Sequence, residues 1–308
     1  MAQRAPSAAT PKSDMTGRVP LAAGISEFVD GYDALIVDLW GVIHDGVTLY
    51  PGVADCLRRL AEAGKPYAML SNAPRRAPAI ARGMARMGLP AALYPLIMSS
   101  GEATWLGLKE RREAWFDGVG NRCLHIGPAR DESLFEETGL ERVGSVAEAD
   151  FIVNTGPWED GETVADYEER LAAGAARRLK MVCANPDLEV IRGGRRIICA
   201  GALALRYEAL GGDVLYYGKP YRPIYDSCIY MLGGPDPRRV LAIGDSLKTD
   251  IAGAAGMGMD AILVVGGLHG AQFAAGAAAE KAALERRIAE ICEDEGHCPM
   301  AAIMRFTW

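Results

Sequence analysis

The stretch Ala34-Leu35-Ile36-Val37-Asp38-Leu39-Trp40-Gly41-Val42 decides the fold. Its first four residues are apolar without alternation, the pattern of a strand buried on both faces of a parallel sheet. The run stops on a carboxylate. Similar runs follow at Tyr67-Ala68-Met69-Leu70, Val214-Leu215-Tyr216-Tyr217, Val240-Leu241-Ala242-Ile243 and Ala261-Ile262-Leu263-Val264-Val265. Between the first two, Val53 to Ala63 has the spacing of a short amphipathic helix, ended by Gly64. After Asp250 comes a Gly- and Ala-rich helix able to pack close against a sheet. Strands alternating with helices predict βαβ units and an α/β fold with a parallel, Rossmann-like sheet.

The middle of the chain repeats the alternation. Arg122 to Ile126, Asp150 to Val153 and Met181 to Ala184 have strand character, and Thr163 to Leu179 that of a helix. The block 112–213 therefore reads as a second α/β domain inserted into the first, with 1–111 and 214–308 forming the outer core. A chain of 308 residues, half of them hydrophobic, is long enough for both.

Composition removes several classes of function. The net charge of −7 offers no basic stripe for nucleic acid and no polybasic patch for a membrane. The longest apolar runs are strand-sized, short of the roughly 18 to 20 residues that span a bilayer. The N-terminus carries Arg4 and Lys12 among Ala, Ser, Thr and Pro, without the apolar block of a secretory signal, and the residues before about Leu21 read as a loose tail. Seven cysteines, an odd number with no Cys-x-x-Cys pair, fit free thiols in a reducing cytoplasm. Cys292, His297 and Cys298 lie close together but match no zinc pattern.

Four of the outer strands lead into reactive groups: Asp38, then Ser71-Asn72, then Gly218-Lys219-Pro220, then Gly244-Asp245 with Asp250 five residues on. Ligands of an open parallel sheet bind beyond the carboxyl ends of its strands, so groups far apart in sequence can meet at one edge. Taken singly, each has an ordinary role as a cap or turn residue; the ordered set is what points to chemistry. Asp38 and Asp245 are hard oxygen ligands, and Mg²⁺ prefers one or two carboxylates plus water and phosphate oxygens. With the phosphate charge neutralised, Asp38 can attack phosphorus and form an aspartyl-phosphate. Lys219 offsets the carboxylate and phosphoryl charge, and Ser71 with nearby N–H groups holds the phosphoryl group.

Asp38-Leu39-Trp40-Gly41-Val42, Ser71-Asn72, Lys219 and Gly244-Asp245 through Asp250 resemble the four ordered motifs of the haloacid dehalogenase superfamily. The inserted block and Asn185-Pro186-Asp187 resemble its class IIA branch of phosphatases with an α/β cap, including p-nitrophenyl phosphatase-like and sugar-phosphatase-like enzymes. The resemblance implies a Mg²⁺-dependent hydrolase of a small phosphorylated metabolite. It makes Asp38 the nucleophile and a metal ligand, with Ser71 and Lys219 completing the catalytic set. Further metal contacts are the backbone carbonyl of Trp40, Asp245 and Asp250. Asn72, Arg75 and Asp187 join Ser71 and Lys219 in binding substrate. It also implies a homo-oligomer formed through the cap.

One position departs from that pattern. Two residues after the nucleophile most phosphatases of the superfamily carry a second Asp, which protonates the leaving oxygen and later activates water. Here the residue is Trp40, with only an indole N–H donor. Three accounts follow. His44 or Asp45 replaces the acid, against the ordinary expectation that both are exposed turn residues. Alternatively, the leaving group is good enough to need little protonation. The third account is a chain with weakened catalysis that binds a phosphorylated ligand. An aromatic at this position also resembles the metal-independent dehalogenases, against which Asp245 and Asp250 argue. Arg192, Arg195 and Arg196 read as a solvated basic turn, and Trp105, Trp115 and Trp158 as packing residues.

Overall fold

The computed structural model of the protein describes residues 18–192, 195–267 and 281–308, so the expected tail lies, up to residue 17, outside the described residues. The strands, in chain order, are β1 (Leu21–Ala22), β2 (Ala34–Asp38), β3 (Tyr67–Ser71), β4 (Ile97–Ser99), β5 (Arg122–Ile126), β6 (Glu141–Val143), β7 (Phe151–Asn154), β8 (Lys180–Cys183), β9 (Glu189–Arg192), β10 (Arg195–Ile198), β11 (Asp213–Tyr216), β12 (Val240–Gly244), β13 (Asp260–Val264) and β14 (Ala301–Ile303). They fall into two compact units. One runs through Ser71 and adds Ile80–Met98 and Lys219–Trp308; the other joins Asn72–Ala79 to Ser99–Gly218. No described helix is long and apolar enough to cross a membrane.

The first unit is built on a seven-stranded sheet in the order β1-β14-β13-β12-β2-β3-β4. Every pairing from β1 to β3 is parallel. All residues of β2, β3 and β12 are buried, which explains their unbroken apolar runs. Each fully buried Leu, Ile or Val contributes about 1.5–3 kcal/mol. The strand order reverses between β2 and β12, where Val37 stands beside Ile243. A crevice for a ligand is expected beyond such a switch point. The helix Val53–Glu62 buries Val53, Cys56, Leu57 and Leu60, spaced as one face of a helix, and turns Asp55, Arg58, Arg59 and Glu62 outward as ion pairs. The Gly- and Ala-rich helix is Ala252–Met257, where Gly253 lies against the Tyr225 ring.

The second unit holds a parallel five-stranded sheet in the order β11-β8-β7-β5-β6, plus the antiparallel hairpin β9–β10. Here one expectation is corrected. By its apolar run Val214–Tyr216 reads as one of the outer strands, yet β11 pairs with β8, Val214 beside Met181. A doubly buried strand looks the same in either sheet, so its composition carries no address. The helix expected over Thr163 to Leu179 begins as a 3-10 turn, Val164–Tyr167, and continues as Glu168–Ala176. Thr163 and Asp166 form a reciprocal capping box at its start.

His125 on β5 is mostly buried, its Nε2 3.0 Å from Thr155 Oγ1 and its ring against Phe135. Burial, reinforced by the Arg142 charge and opposed by Glu132, pushes its pKa down to about 4. The unfolded chain therefore takes a proton near pH 6.5 that the folded chain refuses until about pH 4. Stability is lost as pH falls through that window, by up to about 1.4 kcal/mol per pH unit. Urea titrations at pH 7 and pH 5 should show the loss, with a smaller difference for His125→Gln; equal differences would remove His125 as its source.

Candidate active site

Parallel pairing brings the ends of β2, β3 and β12 to one edge of the sheet. Asp38 closes β2 beside Leu70, Ser71 closes β3, and Asp245 follows β12. Asp250 lies in a single π-helical turn, Leu247–Ile251, a geometry frequent at functional sites. Lys219, 3% exposed, reaches two of these carboxylates: its Nζ donates to Asp38 Oδ1 at 2.5 Å and to Asp250 Oδ1 at 2.7 Å. The other Asp250 oxygen, Oδ2, accepts from the Ser246 N–H at 3.2 Å.

Ligand atoms of Asp38, Asp245 and Asp250 all lie within 4.8 Å of one another, and the three side chains are buried. Three acids against one ammonium leave a surplus of buried negative charge. Its effect shows on both partners of the ion pair. Burial pushes the Asp38 carboxyl well above the usual range, and Asp250 and Asp245 push the same way against Lys219. Burial works against the Lys219 ammonium, but Asp250 and Asp38 hold its pKa well above the ordinary value. A buried cluster of like charges is costly without a further cation. All-oxygen, carboxylate donors are the set that suits Mg²⁺, so these residues fit that ion. Among the described residues this is the group of three or more candidate ligands. Cys292, His297 and Cys298 do not form one, although the two thiols share a hydrogen bond.

Gly41 is a residue that sequence reasoning passed over. Its φ is +87°, and a Cβ there would lie 2.0 Å from Asp245 Oδ2. Only glycine lets the chain after the nucleophile run so close to that carboxylate. The signal was visible as Gly41 within the quoted stretch, but its contact partner is 204 residues away.

The loop from Trp40 to Leu49 closes on itself. Gly41 N–H donates to the His44 carbonyl at 2.9 Å, and Asp45 N–H to the Thr48 carbonyl at 3.1 Å. Asp45 is the exposed turn residue expected, its carboxyl held low by the Thr48 and Val47 N–H groups. His44 is not exposed. It is 7% accessible, because its ring stands edge-on to the Trp40 indole with centroids 5.6 Å apart. Burial lowers its pKa.

The other residues expected to bind substrate, Asn72, Arg75 and Asp187, fall in the second unit. Asn72 is buried and its Nδ2 donates to Asp187 Oδ1 at 2.8 Å. Asp187 N–H in turn donates to Asn185 Oδ1 at 3.0 Å, so the Asn-Pro-Asp turn is pinned to the residue after Ser71. Arg75 is exposed, and its carbonyl accepts from Ser99 Oγ at 2.5 Å. Arg195 and Arg196 are exposed on β10, Arg196 paired with Glu189; the side chain of Arg192 lies outside the described residues.

Residues 35–141 match the family described as haloacid dehalogenase-like hydrolase, and 216–293 a second model of the same kind. The crystal structure of a haloacid dehalogenase-like hydrolase from Brucella suis 1330 is 33% identical, covers 93% of this chain and 100% of its own, and superposes with a TM-score of 0.76. The chain belongs to the haloacid dehalogenase-like hydrolases. Within that family it is a class IIA member, as the quoted motifs imply. Mouse chronophin is 28% identical over 264 residues, covering 80% of this chain and 85% of its own. Chicken glycerol-3-phosphate phosphatase is 27% identical over 258 residues, covering 77% and 80%.

Proposed function

We propose that this haloacid dehalogenase-like hydrolase is a Mg²⁺-dependent phosphatase of a small phosphorylated metabolite, working through an aspartyl-phosphate at Asp38. One observation carries the proposal: three buried carboxylates from distant parts of the chain gather within 4.8 Å of one another, two of them on a single buried lysine. The phosphatase named among its relatives supports the same reading.

Asp38, Asp245, Asp250 and the backbone carbonyl of Trp40 would hold the ion, which supplies charge neutralisation that lets a carboxylate approach a phosphate. Lys219 holds Asp38 Oδ1. The other oxygen of Asp38 attacks phosphorus, the bond from phosphorus to the leaving oxygen breaks, and water later cleaves the aspartyl-phosphate. Ser71 and Lys219 bind the phosphoryl oxygens, while Asn72, Arg75 and Asp187 bind substrate. The inserted block, 112–213 extended through β11, selects substrate and is the part through which copies of the chain would associate; the outer core that remains of 1–111 and 214–308 does the chemistry. We place the enzyme in the cytoplasm.

The test is a phosphate-release screen across sugar, nucleotide, acyl and aryl phosphates, with Mg²⁺ and with chelator. Release should fall by about 10²-fold or more without the ion. At 100 times its dissociation constant Mg²⁺ should also stabilise the fold by about 2.7 kcal/mol. A protein indifferent to Mg²⁺ in both measurements would sink the proposal. Trp40 favours a second reading, a binder of phosphorylated ligands with little turnover. Calorimetry separates the two: a binder gives ligand heat without product. Chloride release from a 2-haloacid without Mg²⁺ would favour the dehalogenase reading over both.

A further inference from the structure

We propose that the substrates of this site are phosphates whose leaving group departs as a stable anion, namely acyl phosphates, phosphoric anhydrides or aryl phosphates, because the loop after the nucleophile is built to hold an indole and not to deliver a proton. This rests on the aspartyl-phosphate reading of Asp38 and narrows it to a substrate class.

Sequence alone leaves two side chains of this loop, His44 and Asp45, open as proton donors, and both are taken up, with Trp40, in its construction. The Trp40 Nε1–H is buried with no acceptor among the described residues. An indole donates a hydrogen bond but does not release its proton to a leaving group. Its ring is fixed on two sides. The His44 ring meets it at 77°, and Gly46, with φ +93°, lies so close that a Cβ would be 2.4 Å from the indole Cη2. His44 is bound into the loop as an acceptor: its Nδ1 takes the Gly46 N–H at 3.0 Å, and its carbonyl takes the Gly41 N–H. With Nδ1 accepting a backbone N–H, the ring proton sits on Nε2 of a neutral imidazole, far too weak an acid to give it up. Asp45 uses one carboxylate oxygen on the N–H groups of Val47 and Thr48, at 2.8 and 2.7 Å, and the other on the Thr48 hydroxyl at 3.3 Å. Moving any of the three toward a substrate would dismantle the turn that holds the indole.

The chemistry balances without that proton for one class of substrate only. As the bond from Asp38 to phosphorus forms, the leaving oxygen takes the electron pair of the breaking bond. An acyl phosphate releases a carboxylate, an aryl phosphate a phenolate and an anhydride a phosphate, each stable as formed. A sugar or glycerol phosphate would have to release an alkoxide, for which general acid help is worth about 10²- to 10⁴-fold. The second step has no leaving oxygen to protonate, and the water it must activate is the same for every substrate. The aspartyl-phosphate is itself an acyl phosphate, so water adding to phosphorus expels the Asp38 carboxylate, and the water proton leaves with the orthophosphate. By this argument the chain differs in substrate class from the relative named for glycerol 3-phosphate, an alkyl phosphate.

Steady-state rates of the full chain with Mg²⁺ test the inference, using acetyl phosphate, a series of substituted phenyl phosphates, and glycerol 3-phosphate. The expected result is a kcat/KM that falls steadily as the leaving group becomes more basic, with the alkyl ester at least about 10²-fold below nitrophenyl phosphate. Trp40→Asp should shrink that gap by about tenfold or more through faster alkyl turnover. If that variant fails to fold, the wild-type series alone decides. Alkyl and nitrophenyl esters cleaved within about threefold of each other, both dependent on Asp38, would overturn the substrate class while leaving the nucleophile in place. Release that survives Asp38→Asn on every substrate would overturn the nucleophile, and with it this inference.

Discussion

Asp38→Asn should lower Mg²⁺-dependent phosphate release by at least about 10³-fold, the scale on which losing a covalent nucleophile is felt, without loosening the fold. The two halves of the expectation have separate causes. Activity depends on an oxygen able to bond phosphorus, and an amide oxygen is a poor nucleophile. Stability depends on the local charge. Asp38, 4% exposed, belongs to a cluster with more acid than base, and its neighbours Asp250 and Asp245 already oppose its ionisation. The amide removes one unit of that surplus and keeps an acceptor for Lys219, whose ammonium retains Asp250 at 2.7 Å. Thermal unfolding in chelator should therefore place the variant level with the wild type or above it. A variant that unfolds early would mean that Asp38 holds the sheet edge together, and full activity in a folded variant would refute covalent catalysis at this residue.

Lys219→Met should have the largest effect on stability. The lysine is the ammonium that faces Asp38 and Asp250, and its removal leaves buried carboxylates without it. Breaking a buried ion pair from one side costs about 3–5 kcal/mol, far more than an exposed pair is worth. Urea denaturation in chelator should register that loss. Added Mg²⁺ should recover part of it, since a divalent ion among the same acids supplies charge the lysine no longer does. Phosphate release should stay depressed by about 10²-fold or more even where Mg²⁺ has restored the fold, because Asp38 is then no longer held through Oδ1. A variant as stable as wild type in chelator would mean that the acids are neutralised in some other way, and the charge argument for a metal would go with it.

The parts of this molecule that a linear reading reaches are those where burial leaves a one-dimensional trace. Ala34–Asp38 and Val240–Gly244 are buried throughout, so they announce themselves as unbroken apolar runs, and the carboxylates at their ends can be matched by topology alone. The edge strand Leu21–Ala22 and its neighbour Ala301–Ile303 leave no such trace, being too short for a pattern, although their partnered residues lie 281 positions apart in parallel register. The sheet to which Asp213–Tyr216 belongs was equally hidden, since its neighbour Lys180–Cys183 is chosen by packing. At the site, residue types were legible and contacts were not. Asp245 and Asp250 stood out as acids flanking a strand-to-helix turn, but the bond from Asn72 to Asp187 spans 115 positions. The burial of His44 depends on an indole four residues earlier turning toward it.

The fit between Trp40 and Gly46 makes the departure at position 40 hard to reverse. A side chain at 46 meets the six-membered ring of the indole, so the aromatic at 40 calls for glycine at 46. Once the ring is in, returning an aspartate empties the space it filled and leaves His44 and Gly46 facing a gap, which penalises the first step back before any catalytic gain is felt. Restoring a carboxyl without that loss of stability means refilling the gap in the same event. Positions 40 and 46 are therefore bound to change together, coupled by one ring and one missing methyl group.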